Sequence, residues 1–235
     1  MKYILIALTV FSTATYAQVN SESKPNSEDQ FIPQLYDSIV GGNLRIYTGK
    51  KFYEPFSKKL LEGSLYYGDD DWTDGILGYQ GQEYANVTMR YHTVLDKLII
   101  LKPQGYDGIE IPGINIDYFT LHNTRFERLS LPQEGYYAIL YKGDISIFAR
   151  HHTTWSEKIV DKNVVTELKA RQKYYIRKND TVTQVKSKNS VMKVLAEQKT
   201  ELRKFLRQEK IIFSQSREFA LQKLGKEFDR LQNQK

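Results

Sequence analysis

Four aspartates crowd into one short stretch, Asp69-Asp70-Asp71 and Asp74, around Trp72. Calcium takes about six to eight oxygen ligands, and a loop of carboxylates can supply several of them. The spacing departs from an EF-hand loop, because Thr73 and Asp74 stand where an acid and then a glycine are needed. Adjacent carboxylates also repel one another, so the competing reading is a solvated acidic turn anchored by Trp72. His151 and His152 are the second candidates. On a strand they point to opposite faces, which keeps them from sharing one ion. His92 and His122 stand alone in the chain. An enzyme reading would therefore be metal-assisted hydrolysis, joining a histidine to the Asp69–Asp74 loop. Nucleophilic catalysis has no motif: cysteine is absent, and there is no Gly-x-Ser-x-Gly elbow. Ser187 to Ser190 reads better as a helix start. No glycine-rich phosphate loop is present and no cofactor is expected. Paired carboxylates of the glycosidase kind would meet only in the fold.

The other chemistry is charge. Lys199, Arg203, Lys204, Arg207 and Lys210 fall close together in the C-terminal third. The net charge of +6 hides an asymmetry. Residues 1–150 carry 14 Lys and Arg against 18 Asp and Glu, hence −4, while residues 151–235 carry 20 against 10, hence +10. A basic segment of this kind suits an anionic partner: an acidic envelope protein, lipid headgroups or a polyanionic glycan. The bland alternative is a solvated helical face that keeps the protein in solution.

These residues need a scaffold, and the scaffold reads as β. Glu83 to Leu101 shows a period-two run ending at His92, a turn at Leu95-Asp96-Lys97, and a returning apolar strand stopped by Pro103. Gly135 to Arg150 repeats the device around Lys142-Gly143-Asp144. Apolar residues on both faces of that second pair place it in the middle of a sheet. Turn signals recur from residue 41 to 150, and Leu44 to Tyr47 reads as a short strand among them. Lys178-Asn179-Asp180 marks a last short hairpin. His151 to Arg171 is polar and fits either a loop or a loose helix. From residue 187 onward the period is helical. Val191, Val194, Leu195, Leu202, Phe205 and Leu206 share one stripe, capped by Asn189 or Ser190, and Ala220, Leu221, Leu224, Phe228 and Leu231 share another. The short link at Lys210 to Phe213 folds the two helices antiparallel. The expected class is α+β, an antiparallel meander curled into a roll or partial barrel and followed by a C-terminal helical hairpin.

The N-terminus sets the compartment. Lys2, the apolar run Ile4 to Phe11, and Thr15-Tyr16-Ala17 have the layout of a secretory signal peptide cleaved after Ala17. The organisation expected is a signal peptide over 1–17, a polar leader over 18–30, a β domain over 31–186 and a helical hairpin over 187–235. No later stretch is long and apolar enough for a membrane helix. Export also argues against a nucleic-acid partner.

Three runs carry a resemblance: GSLYYGDDDWTDGILGYQGQEYANVTMRYHTVLDKLIIL, YYIRKNDTVTQVKSKNSVMKVL and ELRKFLRQEKIIF. Together they resemble an uncharacterised family of exported proteins of Bacteroidota, over roughly residues 42–231. The resemblance implies a periplasmic or cell-envelope setting and carries over no catalytic residue. Three functions follow as expectations. The first is a non-enzymatic protein-binding or structural module, with the basic helices or a sheet edge as its contact. The second is a carrier or sensor for a lipid or small apolar ligand inside the curled sheet. The third is the metal-assisted hydrolase.

Overall fold

The computed structural model describes residues 44–234, apart from 57–59 and 104. The expected signal peptide over 1–17, the leader over 18–30 and the segment 31–43 lie outside the described residues. The described chain belongs to one compact unit running from Asn43 to Lys235. Its strands are β1 (Lys50–Lys51), β2 (Leu61–Glu62), β3 (Thr73–Tyr79), β4 (Gln82–His92), β5 (Lys97–Leu101), β6 (Gly108–Glu110), β7 (Ile116–Leu121), β8 (Thr124–Leu129), β9 (Gly135–Lys142), β10 (Ser146–Val160), β11 (Asn163–Lys178) and β12 (Thr181–Val185). Three helices follow: α1 (Lys188–Val194), α2 (Lys199–Gln208) and α3 (Arg217–Gln232).

The class is α+β. The strands form one sheet in the order β1-β6-β5-β4-β3-β7-β8-β9-β10-β11-β12, with β2 laid parallel along β11. Two antiparallel meanders meet at β3 and β7, joined by a crossover through Ile111 to Asn115. The sheet curls without closing into a barrel. Thr93, just after β4, meets Thr153 of β10, five places away in the sheet. The Thr153 N–H donates to the Thr93 carbonyl at 3.2 Å, and the two hydroxyls lie 2.7 Å apart.

Local chemistry sets the turns. At Asn179-Asp180 and His122-Asn123 both central residues take positive φ, as a two-residue type I′ hairpin requires, and Asn and Asp tolerate that conformation best after glycine. Asn86 also has positive φ, at 55°. It marks a bulge where β4 spends one more residue than β3 between the pairs Gly75–Val87 and Leu77–Tyr84. The bulge resets the alternation: Tyr84 and Val87 are both buried although they are three positions apart.

Three readings of the sequence are corrected by the fold. Leu44–Thr48 is a 3-10 turn, not a strand. Ile46 drops into the core, and the Thr48 hydroxyl closes the turn onto the Arg45 carbonyl at 2.9 Å. Residues 151–171 are neither loop nor helix, since β10 and β11 run through them as a long hairpin paired in register from Ser146–Arg177 to Val160–Asn163. The expected first helix of the pair is broken. A turn around Leu195 and a 3-10 segment Ala196–Gln198 separate α1 from α2. The break has a packing reason. Val191, Met192 and Leu195 are fully buried where α1 meets β11 and β12, whereas α2 turns toward α3. The cap of the first helix also differs from the expected Asn189 or Ser190. Ser187 caps α1 in a capping box with Ser190, and Ser216 precedes α3 without a side-chain cap bond.

The main core lies between the sheet and the helices. Inside the curl, Tyr91, Phe119, Phe126 and Tyr136 pack ring on ring, with Phe119 stacked on Phe126 at 4.8 Å. α3 lies across β9 and β10 and buries Ala220, Leu221, Leu224 and Phe228. A smaller cluster of Tyr137, Phe148 and Tyr175 forms apart from it.

Candidate functional site

Where β12 runs into α1, the chain places Lys186 and Lys188 on either side of the capping Ser187. α2 then presents Arg203 and Arg207, one helical turn apart and so on one face. The first residue of α3 adds Arg217. These five cations line one cleft of about 740 Å³. Its remaining wall is largely apolar, made by Leu206, Ile211, Ile212 and Phe213. No carboxylate is among the described residues that line it. None of the five cations is in an ion pair with a described residue, and Arg203 makes only a long contact of 3.4 Å to the Asn189 amide oxygen. Arg217 Nε is buried without a hydrogen-bond partner, and its guanidinium sits 5.5 Å over the ring of Tyr174. Ile212, 54% exposed, stands at the rim. Unpaired guanidinium groups beside apolar surface form a receptor for oxyanions, because the planar fork matches phosphate or carboxylate geometry.

The sequence-predicted cations fall in two groups. Arg203 and Arg207 line this cleft. Lys199, Lys204 and Lys210 are exposed on or after α2 and do not line it. Lys186, Lys188 and Arg217 were missed. Lys186-Ser187-Lys188 was legible as a doublet of charges, but nothing in the sequence says that it faces α2.

The acid loop is a fastened surface turn. Asp69, Asp70, Asp71 and Asp74 are exposed. The Ser64 hydroxyl donates to Asp70 at 2.6 Å, the Asp71 N–H donates to Asp69 at 3.1 Å, and the Thr88 hydroxyl donates to Asp74 at 2.6 Å. Arg90 donates to the Asp70 carbonyl at 2.8 Å and stacks 3.8 Å over Trp72 and 4.4 Å over Tyr66. Among the described residues, no three His, Asp or Glu side chains are grouped as a metal would need.

Two histidines, His92 and His151, are buried among aromatic rings, each beside a glutamate. His92 is enclosed by Phe52, Phe56 and Tyr66. Its Nδ1 accepts from the Leu95 N–H at 3.2 Å, which leaves Nε2 to carry the proton toward Glu54 at 3.3 Å. Burial holds its pKa below the ordinary value, and Glu54 opposes that only in part. Tyr66 donates to the other Glu54 oxygen at 2.7 Å. As period two requires, His151 and His152 take opposite faces of β10. His151 packs on Tyr67 and Phe126, with Nε2 3.2 Å from Glu218 but out of line for a hydrogen bond. Burial works to raise the Glu218 carboxyl, yet His151 and Tyr174 beside it hold it below its usual range. His152 is kept low by burial and by Lys173, Arg150 and Arg171 around it.

The β10–β11 hairpin is a second surface feature. β9 pairs with β10 only as far as Ala149, so the ladder from Thr154 onward runs roughly 23 Å beyond it, with β2 laid along its β11 edge and Phe56 against Trp155. Trp155 and Ile159 are 53% and 79% exposed on one face of the ladder. Comparisons with models of known protein families, with curated proteins and with solved structures found no match.

Proposed function

We propose that this chain is a non-enzymatic binding module of the bacterial cell envelope. In this reading it is exported with its first 17 residues removed, as its resemblance to an exported Bacteroidota family implies, and it holds an anionic partner against its C-terminal helices. The cleft carries the reading: four cations from three separate helices and Lys186 from the β12–α1 link converge on it, unopposed by any carboxylate among the described residues lining it. Concentrating like charge in this way costs stability, so a counter-charge supplied from outside is its simplest physical use. The sheet acts as a scaffold. The inside of its curl is filled by Tyr91, Phe119, Phe126 and Tyr136. That filling favours a surface contact over a ligand enclosed by the sheet.

The test is retention of the mature protein on a heparin column, with heparin as the anionic probe. Changing Arg203, Lys204 and Arg207 together to Glu is expected to abolish retention while shifting Tm by no more than about 2 °C, since all three are exposed. Elution of the triple variant at the wild-type salt concentration would overturn the reading. N-terminal sequencing of the envelope-purified protein checks the export step, with Gln18 as the expected first residue.

A further inference from the structure

We infer that the cleft takes a phosphomonoester or diphosphate carried on an apolar body, an anionic amphiphile rather than a bare polyanion. The inference rests on the anion-binding reading above and narrows it. Two observations carry it. The first is the donor set. Arg203 and Arg207 project from one face of α2, Arg217 enters from α3, and the buried Nε of Arg217 has no hydrogen-bond partner. Three guanidinium groups with Lys186 and Lys188 beside them exceed what one carboxylate neutralises. They match a group that bears two or more charges and several acceptor oxygens, as a phosphomonoester does. The second is the apolar part of the lining. Ile211, Ile212 and Phe213 form an apolar ledge in the same cleft, and Ile212 is left 54% exposed in the free protein. Phe213 is already buried and Ile211 half-buried, so the surface a purely ionic ligand would leave wet is chiefly that of Ile212. A ligand with a hydrocarbon portion covers it and gains the transfer energy of the surface it buries. At about 740 Å³ the cleft has room for a head group and the first part of a chain, with the rest emerging past Ile212.

The same chemistry could come from a bilayer lipid or from a free phosphorylated amphiphile, and the two are separated by assay. Calorimetry on the mature full-length protein uses octyl phosphate, with inorganic pyrophosphate and octyl glucoside as controls for charge alone and chain alone. Octyl phosphate is expected to bind about tenfold or more tighter than either control. Arg203→Gln with Arg207→Gln should remove that affinity, and Ile212→Ser should weaken octyl phosphate while leaving pyrophosphate unchanged. Flotation with phosphatidylcholine vesicles, with and without dioleoyl phosphatidic acid, then identifies the source. Binding to the acidic vesicles points to a bilayer lipid, and binding to monomeric octyl phosphate alone points to a free amphiphile. Equal affinity for pyrophosphate and octyl phosphate, insensitive to Ile212→Ser, would overturn this inference and leave the anion-binding reading standing. No binding of any anionic probe, with heparin retention also lost, would remove both. Circular dichroism of each variant excludes misfolding as the cause, since Arg203, Arg207 and Ile212 are all exposed.

Discussion

Gly225 sits in the middle of α3, where alanine would ordinarily be the better residue by about 1 kcal/mol. Its replacement is the sharpest test of how the helices meet the sheet, because two effects of known size oppose each other. A Cβ built at Gly225 would come 2.5 Å from Cγ and 3.0 Å from Cβ of Tyr141, the root of that ring and not its mobile end. Tyr141 cannot swing aside freely. Its hydroxyl donates to Asp229 at 2.7 Å, one turn further along α3, and Asp229 also accepts from the Asp144 N–H at 2.8 Å. Relieving the overlap means lifting α3 from β9; overpacking costs about 1–3 kcal/mol, and an overlap this deep at the fixed root of the ring falls in the upper part of that range, about 2–3 kcal/mol. The helix-propensity gain offsets part of it, leaving Gly225→Ala destabilised by about 1–2 kcal/mol. Urea denaturation with matched m-values measures this directly, and the same loss appears as a Tm lower by about 2–8 °C for a domain of this size. A Gly225→Ala variant as stable as the wild type, or more so, would show that α3 does not pack on Tyr141 this closely. The position of Arg217 in the cleft would then lose its support, since α3 carries both residues.

Three further outcomes follow from the same geometry. Asp229→Ala removes a charged acceptor from two donors and strands the Tyr141 hydroxyl, so a loss of about 2–4 kcal/mol is expected in urea melts, with Asp229→Asn losing less. His92 and His152 both have pKa values lowered in the folded state, so the unfolded chain binds the extra protons. Stability is full above the unfolded value of 6.5 and falls as pH drops through and below it. Urea midpoints at several pH values should show that fall, and His92→Gln should flatten it; an unchanged slope in both His92→Gln and His152→Asn would refute the assignment. At the tip of the β10–β11 hairpin, Asp161 and Lys162 both hold positive φ without a glycine. Asp161→Asn with Lys162→Gly is expected to stabilise the hairpin by about 0.5–1 kcal/mol, read as slower amide exchange along Thr154 to Lys169.

The limits of the sequence show at particular residues. The hairpin β4–β5 was visible because its apolar period is two and its turn residues are distinctive, and the same holds for β9–β10. Asn86 was not recognisable as a bulge, since asparagine on an otherwise regular strand gives no local sign of positive φ. Residues 151–171 failed as a pattern for a different reason. Residues 154–160 of β10 are all exposed, while Val165, Thr166 and Leu168 of β11 are buried, two of them adjacent, so no regular alternation of inside and outside runs along the hairpin. The helix break at Leu195 was hidden because the apolar stripe continues through it, and only the change of neighbour from β12 to α3 makes a turn there necessary.

By itself, the sequence determined the α+β class, the order of sheet and helices, and the concentration of positive charge in the C-terminal third. Each of these is written in local periods or in composition. β9–β10 lies inside the sheet, as its two apolar faces require, but toward the β12 end and not at its centre. The tertiary structure alone decided which charges work together. Arg203 and Arg207 are neighbours on a helix, but Lys186, Lys188 and Arg217 reach the same cleft only because α1, α2 and α3 fold back on one another around a shared core. Convergence of that kind depends on distances through space between residues far apart in the chain, and no local pattern of residue types encodes it.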